Sequence, residues 1–95
     1  MQMPAQIISF ETEHYPTWKR GPTTLHVLRL ADTTPEARLS EVIDFELTEE
    51  QLKKLPTREL AGQTCEVGIR EMRRGETNRL RITSGEILSL NGKPF

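Results

Sequence analysis

The sequence has a single cysteine, Cys65, among 95 residues. No internal disulfide can form, and a cysteine zinc site is excluded. Aromatic residues make up only 5% of the chain, with one Trp and one Tyr, so the core is poor in aromatics. No apolar run approaches the roughly 20 residues of a membrane span. The start, Met1-Gln2-Met3-Pro4, lacks the basic and then apolar segments of a secretory signal. No membrane partner is expected, and the expected location is the cytoplasm. Catalytic signatures are also missing: there is no phosphate-cradling G-x-x-x-x-G-K-[ST] or G-x-G-x-x-G loop, no H-E-x-x-H and no G-x-S-x-G elbow. His14 and His26 lack the paired spacing of a metal site. No catalytic residue, metal or cofactor is assigned, and the chain is read as a binding protein rather than an enzyme.

What is present fits one small soluble domain, residues 1–95. At 28% charged and 35% hydrophobic, a chain of this length can bury roughly 60 to 70% of its unfolded surface. The formal net charge of −1 conceals an asymmetry. Residues 1–50 carry four cations and nine anions, a balance of −5, and residues 51–95 carry nine cations and five anions, a balance of +4. Such a split signals either a basic binding surface on an acidic molecule or two faces that attract each other, within the fold or between subunits.

Patterning gives the elements. Strands are expected at about 6–13, 24–30, 39–47, 63–72 and 79–90. In the first, Ile8 and Phe10 take one side and Ser9 and Glu11 the other. The second changes parity between Leu25/Val27 and Leu28/Leu30, which requires either two buried faces or a bulge. In the third, Leu39, Ile43, Phe45 and Leu47 share a face, and Glu41, Asp44 and Glu46 point to solvent. The fourth turns Cys65, Val67 and Ile69 inward, with Gly68 at a bend. The fifth turns Leu80 and Ile82 inward. Thr48-Glu49-Glu50-Gln51 is a capping box, flanked by a Leu47/Leu52 staple and followed by Lys53, Lys54 and Pro56, so a helix of about two turns is expected at 49–55. All-β with one short helix between the third and fourth strands is the element order of a five-stranded oligonucleotide-binding (OB) barrel. Five-stranded SH3-like barrels are the main rival.

Two segments carry chemistry. Residues His14 to Pro22, read as a loop, bring Tyr15 and Trp18 together with Lys19 and Arg20. Rings of this kind stack on bases at about 1–3 kcal/mol each, and neighbouring cations neutralise phosphates. The alternative for Trp18 is packing over one end of the core. The hairpin between the fourth and fifth strands carries Arg70, Arg73, Arg74, Arg79 and Arg81, with Arg70, Arg79 and Arg81 expected on one outer face. Arginines also serve as edge guards on exposed strands. An OB barrel binds its ligand with its second and third strands and with the loops joining strands 1 to 2 and 4 to 5, and these two segments occupy those loops. Cys65, on the apolar side of its strand, is read as a buried structural thiol rather than a nucleophile.

In element order from Gln6 to Leu90, and in Leu60-Ala61-Gly62-Gln63-Thr64-Cys65-Glu66-Val67 followed by Arg79-Leu80-Arg81-Ile82, the chain resembles the small single-stranded-DNA-binding proteins of phages and mobile elements. The resemblance implies sequence-tolerant binding of single-stranded DNA or RNA by a homodimer, with stacking at Tyr15 and Trp18 beside their basic neighbours. Glu41, Asp44 and Glu46 depart from it, because a nucleic-acid surface there should be neutral or basic. The alternative function is a protein-protein interaction module that joins the acidic third strand to the basic hairpin of a neighbour.

Overall fold

Met3, Ala5 and Ile7 alternate with exposed residues and are buried. This period-2 start carries β1 over Gln2–Tyr15, longer at both ends than expected. The structure is a computed structural model and describes residues 1–16, 21–34, 42–56, 59–75 and 78–95. A bulge in the pairing of β1 with β2 (Thr23–Asp32), between Ile7 and Ser9, inverts the parity of β1. A single extra residue does this because successive side chains point to opposite faces. Ile8, the residue skipped at the shift, is exposed, and Phe10, opposite the buried Leu28, comes onto the core side but stays 39% exposed. The expectation that Ile8 and Phe10 share a side is corrected: the shift separates them, and the buried side chains of β1 are Met3, Ala5 and Ile7.

In β2 the parity change has the first of its two explanations. Leu28 and Leu30 enter the core, and Val27 is buried on the opposite side. Among the described residues β3 covers Val42–Glu46, with Ile43 and Phe45 in the core; the expected start at Leu39 lies outside them. The capping box forms as read. The Thr48 amide donates to Gln51 Oε1 at 3.0 Å and the Gln51 amide donates to Thr48 Oγ1 at 3.2 Å. Helix α1 runs Glu49–Lys54 and ends with Leu55 as C-cap. Leu55 is buried in the core, and Leu47 and Leu52 pack against it. Gln51 also donates from Nε2 to the Gly85 carbonyl at 3.0 Å, tying the helix start to the last long strand.

That strand, β5 (Leu80–Leu90), pairs antiparallel with β4 (Thr64–Arg74). Cys65, Val67 and Ile69 from β4 and Ile82 and Ile87 from β5 are buried together. Gly85 lies where β5 crosses closest to β4. A Cβ there would run into the Gly68 carbonyl oxygen and lie 3.2 Å from both Ile82 and the Phe45 ring. A sixth strand, β6 (Lys93–Pro94), returns along β5 after Asn91 and Gly92, which have φ of 52° and 79°. Asn-Gly is the usual signal for a two-residue hairpin turn, and it stands in the sequence at that point.

The sheet order is β3-β2-β1-β4-β5-β6, and β5 returns to pair with β3. Hydrogen bonding thus runs in a ring through five strands. All these pairings are antiparallel except β3 with β5, which is parallel and aligns Asp44 with Arg81 and Phe45 with Ile82. Among the described residues, the buried core side chains are aliphatic apart from Met3, Cys65 and Phe45. Those on the outer side of the ring decide what the molecule can bind.

Candidate nucleic-acid interface

Asp44 and Glu46 alternate with core residues along β3, and Arg79 and Arg81 alternate with Leu80 and Ile82 at the start of β5. Period-2 geometry sends both pairs to the outer side, and the β3–β5 register sets them beside one another. Asp44, expected to face solvent, is among the buried residues. Its carboxylate lies 3.5 Å from Arg79, 3.7 Å from Arg29 and 3.8 Å from Arg81. Burial of a carboxylate is tolerated when cations surround it, and three arginines do so here.

Arg81 is the second centre. Its Nη2 donates to Glu13 Oε1 at 2.8 Å and its Nε donates to Glu46 Oε2. Burial opposes its charge, but its hydrogen bonds to Glu13 and Glu46 more than offset this, and its proton is held more tightly than in water. The same contact with Arg81 pulls the Glu13 carboxyl below the ordinary range, against the effect of burial and with help from Tyr15 and Arg29. Tyr15 donates its hydroxyl to Glu13 Oε1 at 2.9 Å. Burial and the Glu13 charge raise the Tyr15 pKa. Beside them Arg29 Nε lies 2.7 Å from Glu11, though its N–H is not aimed along that contact, so the interaction is one of charge. Three arginines therefore meet four carboxylates on this face: Arg29, Arg79 and Arg81 against Glu11, Glu13, Asp44 and Glu46.

The expected site residues divide accordingly. Tyr15 closes β1 instead of lying in a loop, and Glu13 links it to Arg81. Arg79 joins them through Asp44. Arg73 stands opposite Arg81 in the β4–β5 register, pairs with Glu71 at 3.1 Å and is well exposed. Between this hairpin and β3 lies a shallow depression of about 500 Å³ whose walls include Glu46, Glu71, Arg73 and Arg81. Arg74 donates to the Asn78 carbonyl at 2.9 Å across the turn. Arg70 does not share this region. Register shifts between Ile69 and Met72 leave it donating to Ser84 Oγ and the Gly85 carbonyl, with Glu86 at 3.7 Å, beside the start of α1. Trp18, Lys19 and Arg20 lie outside the described residues, as does Glu41.

His14 and His26 hydrogen-bond to Thr24 and Thr12 across the β1–β2 ribbon, and the Phe10 ring stacks on His26 at 5.8 Å. Among the described residues no three His, Cys, Asp or Glu groups converge as metal ligands. Burial pushes the Cys65 thiol up to about 11, so it is protonated and inert at neutral pH. A larger apolar cleft, about 820 Å³, lies between Phe10 on β1 and Leu52, Leu55 and Leu60 around α1. Sequence reading missed the central role of Asp44. The opposed charge of the two halves was its only signal, and the attraction that split implied is realised within one chain. Among the described residues no helix is long and apolar enough to cross a membrane. Comparison of the chain with protein families, with curated proteins and with solved structures finds no match.

Proposed function

We propose that the chain is an OB-type barrel of the cytoplasm that binds single-stranded nucleic acid, DNA before RNA, without strong sequence preference. Bases stack on Tyr15 and Trp18. Phosphates are held by Lys19 and Arg20 from the β1–β2 connection and by Arg73, Arg74, Arg79 and Arg81 from the β4–β5 hairpin, with Arg70 as an outlying contact beside α1. The observation that carries the reading is the Glu13–Arg81 contact. It brings the end of β1, where Tyr15 lies, against the start of β5, which supports a ligand shared by the two connections an OB barrel uses. The helix between β3 and β4 and the parallel β3–β5 closure support the same reading.

The rival, an interaction module joining the acidic third strand to another subunit's arginines, has less to work with. Asp44 and Glu46 already meet arginines of their own chain.

Trp18 is the only tryptophan, so its fluorescence reports directly on the proposed site. Titration with oligo-thymidine should quench the emission, and added salt should restore it. Absence of binding at low salt, both in the chain as it stands and with the acidic residues of this face neutralised, would overturn the proposal.

A further inference from the structure

We infer that Glu13 and Glu46 are built-in competitors for phosphate at Arg81, so that the face is self-masked until these carboxylates swing aside. The inference rests on the binding reading above and says how that site is regulated. A guanidinium presents a planar fork of donors that fits carboxylate and phosphate oxygens alike. In Arg81 the Nε is taken by Glu46 and Nη2 by Glu13, while Asp44 stands 3.8 Å from Nη1. An incoming phosphate must displace a carboxylate to use the fork.

The three acids are not equivalent. Asp44, with a side chain 9% exposed and arginines on three sides, is an anchor. Glu13 and Glu46 come from two different strands and keep 28% and 24% of their side chains exposed, so each can rotate toward water while an incoming phosphate takes its place on Arg81. Glu13 also accepts the Tyr15 hydroxyl, so one carboxylate holds both a proposed phosphate contact and a proposed stacking ring. Glu11 differs, because its partner is Arg29.

The test compares oligo-thymidine binding by the wild-type chain, Glu13→Gln, Glu46→Gln and Glu49→Gln, the last an exposed acid at the start of α1. Glu13→Gln should bind about five- to tenfold tighter, and its log-log salt slope should steepen by about 0.7, the value of one further phosphate on a single strand. Glu46→Gln should move in the same direction and serves if Glu13→Gln folds poorly. Glu49→Gln should change affinity less than twofold. In an Arg81→Ala background the gain from Glu13→Gln should vanish. A gain equal to that of Glu49→Gln, or one that persists without Arg81, overturns the inference while leaving the binding reading intact. A wild-type chain that fails to bind beside a Glu13→Gln chain that binds supports the masking directly. Failure of every chain to bind at low salt removes the binding reading, and the inference with it.

Discussion

Arg81 and Glu13 are 68 residues apart in sequence and 2.8 Å apart in the fold. One contact therefore joins the negatively charged half of the chain to the positively charged half, and β1 to β5. These strands are not sheet neighbours, so the guanidinium joins two strands that no backbone ladder pairs, and it does so beside the short closure where Asp44/Arg81 and Phe45/Ile82 align β3 with β5.

Asp44→Asn should destabilise the fold, because the replacement keeps the shape and removes the charge that three arginines face. Breaking a buried pair costs about 3–5 kcal/mol. Arg29 and Arg79 are about a third exposed or more, and solvent screens their share, so about 1–3 kcal/mol is expected from the urea midpoint at neutral pH. A change within about 0.5 kcal/mol would show that Asp44 is no anchor.

Gly85→Ala should cost about 2–3 kcal/mol by overpacking, since the added methyl meets the Gly68 carbonyl, Ile82 and Phe45. Gly68→Ala, whose Cβ would find only ordinary contacts with Glu86 and Leu88, should be milder. Thermal denaturation of the two variants side by side reads the difference, and equal losses would contradict the close approach.

Stability should fall at both ends of the pH range. Glu13 has its folded pKa depressed, so its contribution is present above the ordinary carboxylate pKa and is lost as acid takes the pH down through the folded value. Cys65 and Tyr15 have theirs raised. Their contributions are complete below the unfolded values and are lost as pH rises, for Cys65 between about 9 and about 11. The thiol accounts for at most about 3 kcal/mol of the alkaline loss. Cys65→Ala should flatten the alkaline limb of a denaturation series, and a thiol reagent at pH 8 should label Cys65 only at the rate of unfolding.

Salt should separate the arginines. If about five phosphates are neutralised, the log-log slope of binding against salt is about −3.5, at roughly −0.7 per phosphate. Arg73→Ala, at an exposed position, should make it shallower by about 0.7. Arg79→Ala should change it less, because Asp44 already shares that charge. Trp18→Ala should instead remove an increment that salt does not alter. Equal slopes for the two arginine variants would mean that the Asp44 contact opens on binding.

The sequence by itself determined the local features. The capping box at Thr48 and Gln51, the inward faces of β3 and β4 and that of the first residues of β5 follow from hydrogen-bonding groups and periodicities within a few residues of each other. The Asn91-Gly92 turn is equally local, since the dipeptide itself favours a two-residue hairpin. Only the tertiary structure decided the inward face of β1, because the bulge after Ile7 depends on how two strands register, and register is a property of the pair. The same holds for the face proposed to bind. Arg79 and Arg81 were visible as cations, and Asp44 and Glu46 as acids that counted against nucleic-acid binding, but their chain separation of 35 residues hid the pairing. Charge neutralisation acts through space, so composition recorded the two opposed halves and the ring closure determined which arginine each carboxylate would hold.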